Sequence, residues 1–264
     1  MTQEYTESFF LSAGEVNAEG EMSLPLLTSK IIDIATAHAN SLGIGNPDMS
    51  HLGLGWVLSR LTIEMSRWPL SNENYSITTW IENWNRHFSI RCFMIADGEG
   101  KECGFARSVW MVMNTKTREN AGLTHLELPE CMIGTRECPI PRQTKHTAII
   151  PADYTDDISQ AMHATLPGQT YTFKYCDLDY YRHVNTVRYI SILLNQFPLE
   201  RHDTSVIRRM ELNFLHEARY AETVEILTSE TDENSYSMSL IPASGEMEYS
   251  HPILFARIFF SPRP

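Results

Sequence analysis

Two tandem α+β repeats, each with one long helix packed on an antiparallel sheet, are the fold class this sequence predicts, and three observations predict it. The segment Phe105-Ala106-Arg107-Ser108-Val109-Trp110 recurs as Phe255-Ala256-Arg257-Ile258-Phe259-Phe260. Upstream, Leu58-Ser59-Arg60-Leu61-Thr62 resembles Ile207-Arg208-Arg209-Met210-Glu211, and the 47 residues from Arg60 to Arg107 nearly match the 48 from Arg209 to Arg257. Each half also places helical periodicity ahead of its first such strand, which is what a duplicated supersecondary unit produces.

In the first half, Leu27, Ile31, Ile34, Ala35 and His38 recur at helical spacing. Strand-like runs follow at Val57 to Trp68, Tyr75 to Asn83, Phe88 to Ala96 and Phe105 to Met113, with Asp97-Gly98-Glu99-Gly100 as a hairpin turn. The stretch Glu119 to Gly168 carries several prolines and little periodicity, and reads as a connection holding at most a short helix. In the second half, residues 177 to 183 alternate as an extended strand or strand-like loop would, so Asp179, Tyr181 and His183 are expected on one side. A helix then carries Val184, Val187, Ile190, Leu194 and Phe197 and stops at Pro198. Further strands are expected at Arg208 to His216, Ala221 to Thr228, Ser235 to Pro242 and Ile253 to Phe260. The expected division is residues 1–145, a connection at 146–168, and residues 169–264.

Composition narrows the function classes. The 264 residues, 42% hydrophobic, suffice for a sizeable core, and the net charge of -12 excludes a general nucleic-acid binder, which needs a basic face. Basic residues nevertheless crowd the motif region: Lys174, Arg182, Arg188, Arg201, Arg208, Arg209 and Arg219 read either as a docking patch for an acidic partner or as ordinary solvated arginines. Five cysteines without paired spacing read as reduced thiols, with no disulfide scaffold or zinc site. His38, His51, His87, His163 and His216 lack metal-ligand spacing, and no Gly-x-Ser-x-Gly or phosphate loop is present, so a serine hydrolase or nucleotide enzyme is not expected. The first twenty residues are polar and acidic and no apolar run reaches spanning length, so a cytoplasmic protein without a membrane span is expected.

The densest chemistry lies in Cys176-Asp177-Leu178-Asp179-Tyr180-Tyr181-Arg182-His183-Val184-Asn185, which sets a carboxylate, a phenol and an imidazole just before an amphipathic helix. Such groups serve acid/base catalysis, and unpaired amides at the helix N-terminus can polarise a carbonyl. A histidine there also serves as a cap and an aspartate as a turn brace, so the run alone leaves both readings open.

The tandem halves together with three sets of motifs resemble the acyl-acyl-carrier-protein thioesterases of bacteria and plants. The motifs are Asp177-Leu178-Asp179-x-x-x-His183-Val184-Asn185-x-Val187-x-Tyr189-Ile190; Met210-Glu211-Leu212-x-Phe214-x-x-Glu217; and, in the first half, Trp56-Val57-Leu58-Ser59-Arg60-Leu61-x-Ile63-Glu64 with Trp110-Met111-Val112-Met113-Asn114-x-x-Thr117-Arg118. The resemblance spans nearly the whole chain. It implies a double hotdog fold, a catalytic second half and an acyl-binding first half, with fatty acyl-carrier protein as substrate, no cofactor and no metal. Carried over by position, the catalytic residues are Asp179, His183 and Glu217. Tyr181 stands where the family usually has asparagine, and Ala218 stands where many plant members have cysteine, which excludes a cysteine nucleophile there.

Thioester hydrolysis requires activated water, a stabilised oxyanion and a route for the leaving thiolate. Glu217 or His183 serves equally well as the base on sequence grounds, with Asp179 as orienter and the phenol of Tyr181 as a further hydrogen-bond donor. Ile31, Ala35, Trp56 and Leu58 are the acyl-lining candidates, while Arg182, Arg188, Arg201, Arg208 and Arg209 are the carrier-docking candidates. Two other functions stay open, an acyl-CoA thioesterase and a non-catalytic acyl-carrier or lipid-binding protein in which Tyr181 marks a decayed site. A homodimer is compatible with all three.

Overall fold

The computed structural model describes residues 3–124, 126, 129–143, 168–243 and 252–263. It divides into two compact units, Met1–Arg142 and Gln143–Pro264. The N-terminal unit runs β1 (Glu4–Phe10), α1 (Leu24–Ser41), α2 (Asn46–His51), β2 (Leu54–Met65), β3 (Asn74–Trp84), β4 (Ser89–Asp97) and β5 (Glu102–Asn114). Its antiparallel strands lie in the order β1-β3-β4-β5-β2. The C-terminal unit runs β6 (Gln169–Thr172), α3 (Thr186–Leu194), α4 (Leu199–Thr204), β7 (Ser205–Phe214), β8 (Thr223–Asp232), β9 (Ser235–Pro242) and β10 (Leu254–Pro262). Its strand order, β6-β8-β9-β10-β7, repeats the first element by element.

The duplication extends to a defect. In the first unit Leu58 pairs Trp110 and Arg60 pairs Val109, which leaves Ser59 as the extra residue of a β-bulge. In the second, Ile207 pairs Phe260 and Arg209 pairs Phe259, which leaves Arg208. Ser59 and Arg208 are equivalent positions of the sequence repeat.

Helix α1 starts where Ser23 Oγ accepts the Leu26 N–H at 3.3 Å and Pro25 occupies the first turn. Leu24, Leu27, Ile31, Ile34 and Ala35 form its buried face, each large side chain contributing about 1.5–3 kcal/mol. His38 shares that face and is satisfied there, because Arg91 Nη1 donates to its Nδ1 at 2.7 Å and to Thr79 Oγ1 at 3.3 Å. Strand β4 is buried along nearly its whole length, the signature of a strand covered on both faces.

The second cover comes from the stretch after Glu119, which holds a short 3-10 helix at Glu130–Met132 and packs on the sheet. Ile133 forms a parallel bridge with Ile81, Arg107 donates to the carbonyls of Cys138 and Ile140, and the Arg136 guanidinium sits 5.4 Å over the Trp80 ring. Residues through 142 thus belong to the first unit's core. The expected connection at 146–168 lies, apart from Gly168, outside the described residues. Helix α3 is shorter than the periodicity predicts, because Asn185 caps it and Asn195 ends it, and Pro198 is the N-cap of α4 rather than a stop. Among the described residues, no helix is long and apolar enough to cross a membrane.

Candidate active site

The motif residues form a tight turn, not the extended strand their alternation suggested. The Asp179 N–H donates to the His183 carbonyl at 2.8 Å, the Arg182 N–H donates back to the Asp179 carbonyl at 3.0 Å, and Arg182 takes a left-handed φ of 67°. Asp179 Oδ1 accepts the amides of Tyr181 at 2.9 Å and His183 at 3.1 Å. A short carboxylate reaches amides two and four residues ahead, and this local bonding outcompetes extension. Asp179 therefore orients His183 through its main chain. The neighbouring Asp177 is a buried pin whose Oδ2 accepts the Lys174 amide at 2.7 Å and the Tyr171 hydroxyl at 3.0 Å, while its carbonyl takes the Asn185 N–H at 2.8 Å.

The chain beyond β7 returns to this turn. His183 bridges Arg219, and the Val184 N–H donates to the Ala218 carbonyl at 2.8 Å. The Ala218 N–H in turn donates to the Tyr189 hydroxyl at 3.1 Å. These bonds bring His183 Nε2 to 3.4 Å from Glu217 Oε2, with the imidazole 19% and the carboxylate 37% exposed. The pair is thus reachable by water yet partly desolvated, a setting suited to proton transfer. Tyr189 has no role in the sequence reading, although it sits in the quoted motif. Burial between Phe173 and Phe214 raises its phenol well above the usual range, so it stays neutral and holds the Glu217 segment against α3. Its signal was a phenol on the apolar face of a helix, where a hydroxyl needs a partner.

Other expected site residues are distributed differently. Tyr181 stands in the turn, 57% exposed, its ring 3.8 Å from that of Tyr180. The expected amide donors after His183 narrow to one. Val184 and Asn185 are paired as above, Val187 donates to Asn185 Oδ1 and Arg188 to the Asn185 carbonyl. Among the described residues, only Thr186 of that run has no acceptor for its N–H.

Two docking candidates have partners within the chain. Arg201 donates to Asn234 at 2.7 Å and to the Tyr236 hydroxyl at 2.6 Å and covers the Tyr236 and Phe260 rings, while Arg209 is held by Glu211 at 2.7 Å. Arg182, Arg188 and Arg208 are exposed. In the first unit Ile31, Ala35 and Leu58 are buried, and the half-buried Trp56 donates its indole N–H to the Ile44 carbonyl at 2.7 Å. Among the described residues, no three His, Cys, Asp or Glu side chains converge as metal ligands would.

The family models for the acyl-ACP thioesterase N-terminal domain, over residues 2–125, and C-terminal domain, over residues 162–254, match in succession. The chain belongs to the acyl-ACP thioesterase family. Its likeness to the crystal structure of an acyl-ACP thioesterase from Bacteroides thetaiotaomicron covers 98% of both chains at 28% identity and a TM-score of 0.84. A 12:0-ACP thioesterase from Umbellularia californica, 19% identical with a TM-score of 0.78 over 100% of this chain and 99% of that one, shows the same double hotdog fold. Relatives include the chloroplastic acyl-acyl-carrier-protein hydrolase of Cuphea viscosissima, 24% identical over 98% of this chain. The chloroplastic oleoyl-acyl carrier protein thioesterase of Coriandrum sativum is 26% identical over 91%. The chain spans 63% and 67% of those two plant proteins.

Within this family member, the N-terminal unit carries the same turn in other residues. Asn17 donates its N–H to the Glu21 carbonyl at 2.8 Å, its Oδ1 accepts the Glu21 amide at 2.8 Å, and Gly20 takes the left-handed φ of 75°. The Val16–Met22 and Glu21–Leu70 bridges match Leu178–Val184 and His183–Arg219, and the Met22 N–H donates to the Pro69 carbonyl as Val184 does to Ala218. Glu21 and Trp68 thus occupy the places of His183 and Glu217.

Proposed function

We propose that this chain is a thioesterase that hydrolyses fatty acyl-carrier protein to a free fatty acid and the carrier. The observation that carries the reading is the His183–Glu217 pair at 3.4 Å in the half of the duplicated scaffold where the other half has Glu21 and Trp68. Glu217, with His183 beside it, takes a proton from water as the water oxygen adds to the thioester carbonyl. The N–H of Thr186, at the positive end of α3, receives the developing oxyanion. Collapse breaks the carbon–sulfur bond, and the proton passes through His183 to the departing thiolate. Asp179 acts as a positioning residue through the two amides it holds. The acyl chain is assigned to the N-terminal unit along Ile31, Ala35, Trp56 and Leu58, and the odd set of unpaired cysteines favours the cytoplasm. Product formation measured across acyl lengths on carrier protein and on CoA tests the reading. Faster turnover on CoA thioesters would select the acyl-CoA alternative, and carrier binding without product the non-catalytic one.

Carrier recognition is assigned to exposed Arg182, Arg188 and Arg208. Reversing their charge is expected to raise KM for carrier substrates about tenfold, with a smaller effect on CoA substrates and a steeper loss of binding as salt rises. Equal effects on both substrates would remove this surface. Because the Tyr181 ring is 57% exposed and packs beside Tyr180, Tyr181→Phe is expected to keep turnover within about threefold of the parent and to alter KM instead. A loss of kcat in Tyr181→Phe at unchanged KM would return the phenol to the chemistry.

A further inference from the structure

The outer face of the N-terminal sheet holds a second reactive cluster, unrelated to hydrolysis. Arg91 reaches His38 on α1 and donates to Thr79 on the same face, so by strand alternation the neighbouring positions 80 and 92 face the other way. Trp80 pairs with Cys92, and Cys92 with Arg107, which forms one cross-strand row on β3, β4 and β5. Cys138 packs onto this row in one buried cluster with Trp80, Ile90, Cys92 and Ile140, its Sγ 3.9 Å from the Ala106 carbonyl oxygen. Arg107 fixes the geometry: Nη1 donates to the Ile140 carbonyl at 2.9 Å, and Nη2 donates to the Cys138 carbonyl at 3.2 Å and to Glu82 at 2.6 Å. Its Nε is buried without an acceptor among the described residues, as is the indole nitrogen of Trp80.

We propose that Cys92 and Cys138 form a redox-active dithiol that a hydroperoxide oxidises to an intramolecular disulfide. The two thiols share one buried cluster, and the neighbouring Cys92 thiol, with the Arg107 charge, holds Cys138 below the ordinary cysteine range. The Cys138 thiol and burial in turn push Cys92 up. Cys138 is therefore the first nucleophile, since reactive thiolates occupy such cation-flanked positions. No other cysteine has this arrangement: Cys131 and Cys176 are exposed, and Cys103 lies beside Arg67 without a second sulfur in its contacts.

The Cys138 thiolate attacks one peroxide oxygen, forming the S–O bond as the O–O bond breaks and hydroxide or alkoxide leaves. The Cys92 sulfur then attacks the sulfenic sulfur, the S–S bond forms, and the oxygen departs as water with the Cys92 proton. Two electrons pass from the thiols to the peroxide. A sulfenate intermediate would also give the unmatched donors of Arg107 and Trp80 an acceptor. The product ties the Cys138 segment covalently to β4.

The test treats the full chain with stoichiometric hydrogen peroxide and maps peptides by mass without reduction. The expected product is a Cys92–Cys138 linked peptide pair, lighter by two hydrogens, formed before Cys103, Cys131 or Cys176 gains oxygen. Cys92→Ser and Cys138→Ser should each abolish it. Arg107→Gln should slow its formation about tenfold, and Arg107→Lys, which keeps the charge if the glutamine variant fails to fold, by no more than about threefold. Oxidation of Cys131 or Cys176 while Cys92 and Cys138 remain alkylatable would overturn the proposal. So would equal loss of the Cys92 thiol in Cys138→Ser.

Discussion

Glutamine at Glu217 and alanine at His183 are each expected to lower kcat on acyl-carrier-protein substrates by about 100-fold or more, with a nearly unchanged unfolding midpoint. The split follows from the bonds. The turn at residues 179–183 and its tie to Ala218 are made by main-chain groups, by Asp179 and by Tyr189, so the reacting side chains can be truncated without opening it. With the imidazole 19% and the carboxylate 37% exposed and neither in those bonds, each replacement should change stability by about 1 kcal/mol or less. The double variant should fall little further than either single one, because a pair acting as a unit is non-additive. Near-parental turnover in both folded single variants would remove the pair from the chemistry.

Asp179→Ala is expected to cost about 1–2 kcal/mol and roughly 100-fold in turnover, because the amides of Tyr181 and His183 lose their common acceptor. Asp179→Asn retains an oxygen at that place, so it should keep the fold and hold turnover within about tenfold of the parent. Asn17→Ala provides the control in the other half. It removes the matching acceptor of the Glu21 amide and should cost comparable stability at unchanged turnover. Thermal melts and single-turnover rates on the three variants decide this. If Asp179→Asn were as inactive as Asp179→Ala while melting like the parent, the charge and not the turn would be the contribution of Asp179.

The duplication was legible because its apolar strands pair in register: the Phe105 and Phe255 segments became β5 and β10, each beside its bulged partner. Strand β1 was missed because Glu4–Phe10 is an edge strand with half its residues in contact with water, which leaves no apolar alternation. Helix α4 was missed because Leu199–Thr204 buries none of its residues and owes its place to Pro198 and to its neighbours. At the site, the family resemblance singled out His183 and Glu217, which the fold sets 3.4 Å apart, but the alternation read residues 177–183 as an extended strand or strand-like loop. Only the bonds of Asp179 to its own turn decide otherwise, and those depend on a left-handed Arg182 that no pattern of polarity reports. The repeat of that turn in the first half was hidden for the same reason. Asn17-Ala18-Glu19-Gly20-Glu21 shares backbone bonds with Asp179-Tyr180-Tyr181-Arg182-His183 and almost no side-chain identity.

That shared turn separates architecture from reactivity. In each copy the loop is closed by amides, carbonyls and one Asx oxygen at its first position, and the residues at its fifth position and across the bridge are spectators to closure. Substitution at those two positions therefore leaves the loop's own bonds in place, although Trp68 of the first copy is itself buried. One copy carries a glutamate and a tryptophan where its twin carries imidazole and carboxylate, on the same backbone bonds. The two turns are equivalent frames, and what distinguishes one from the other is the pair of side chains each presents.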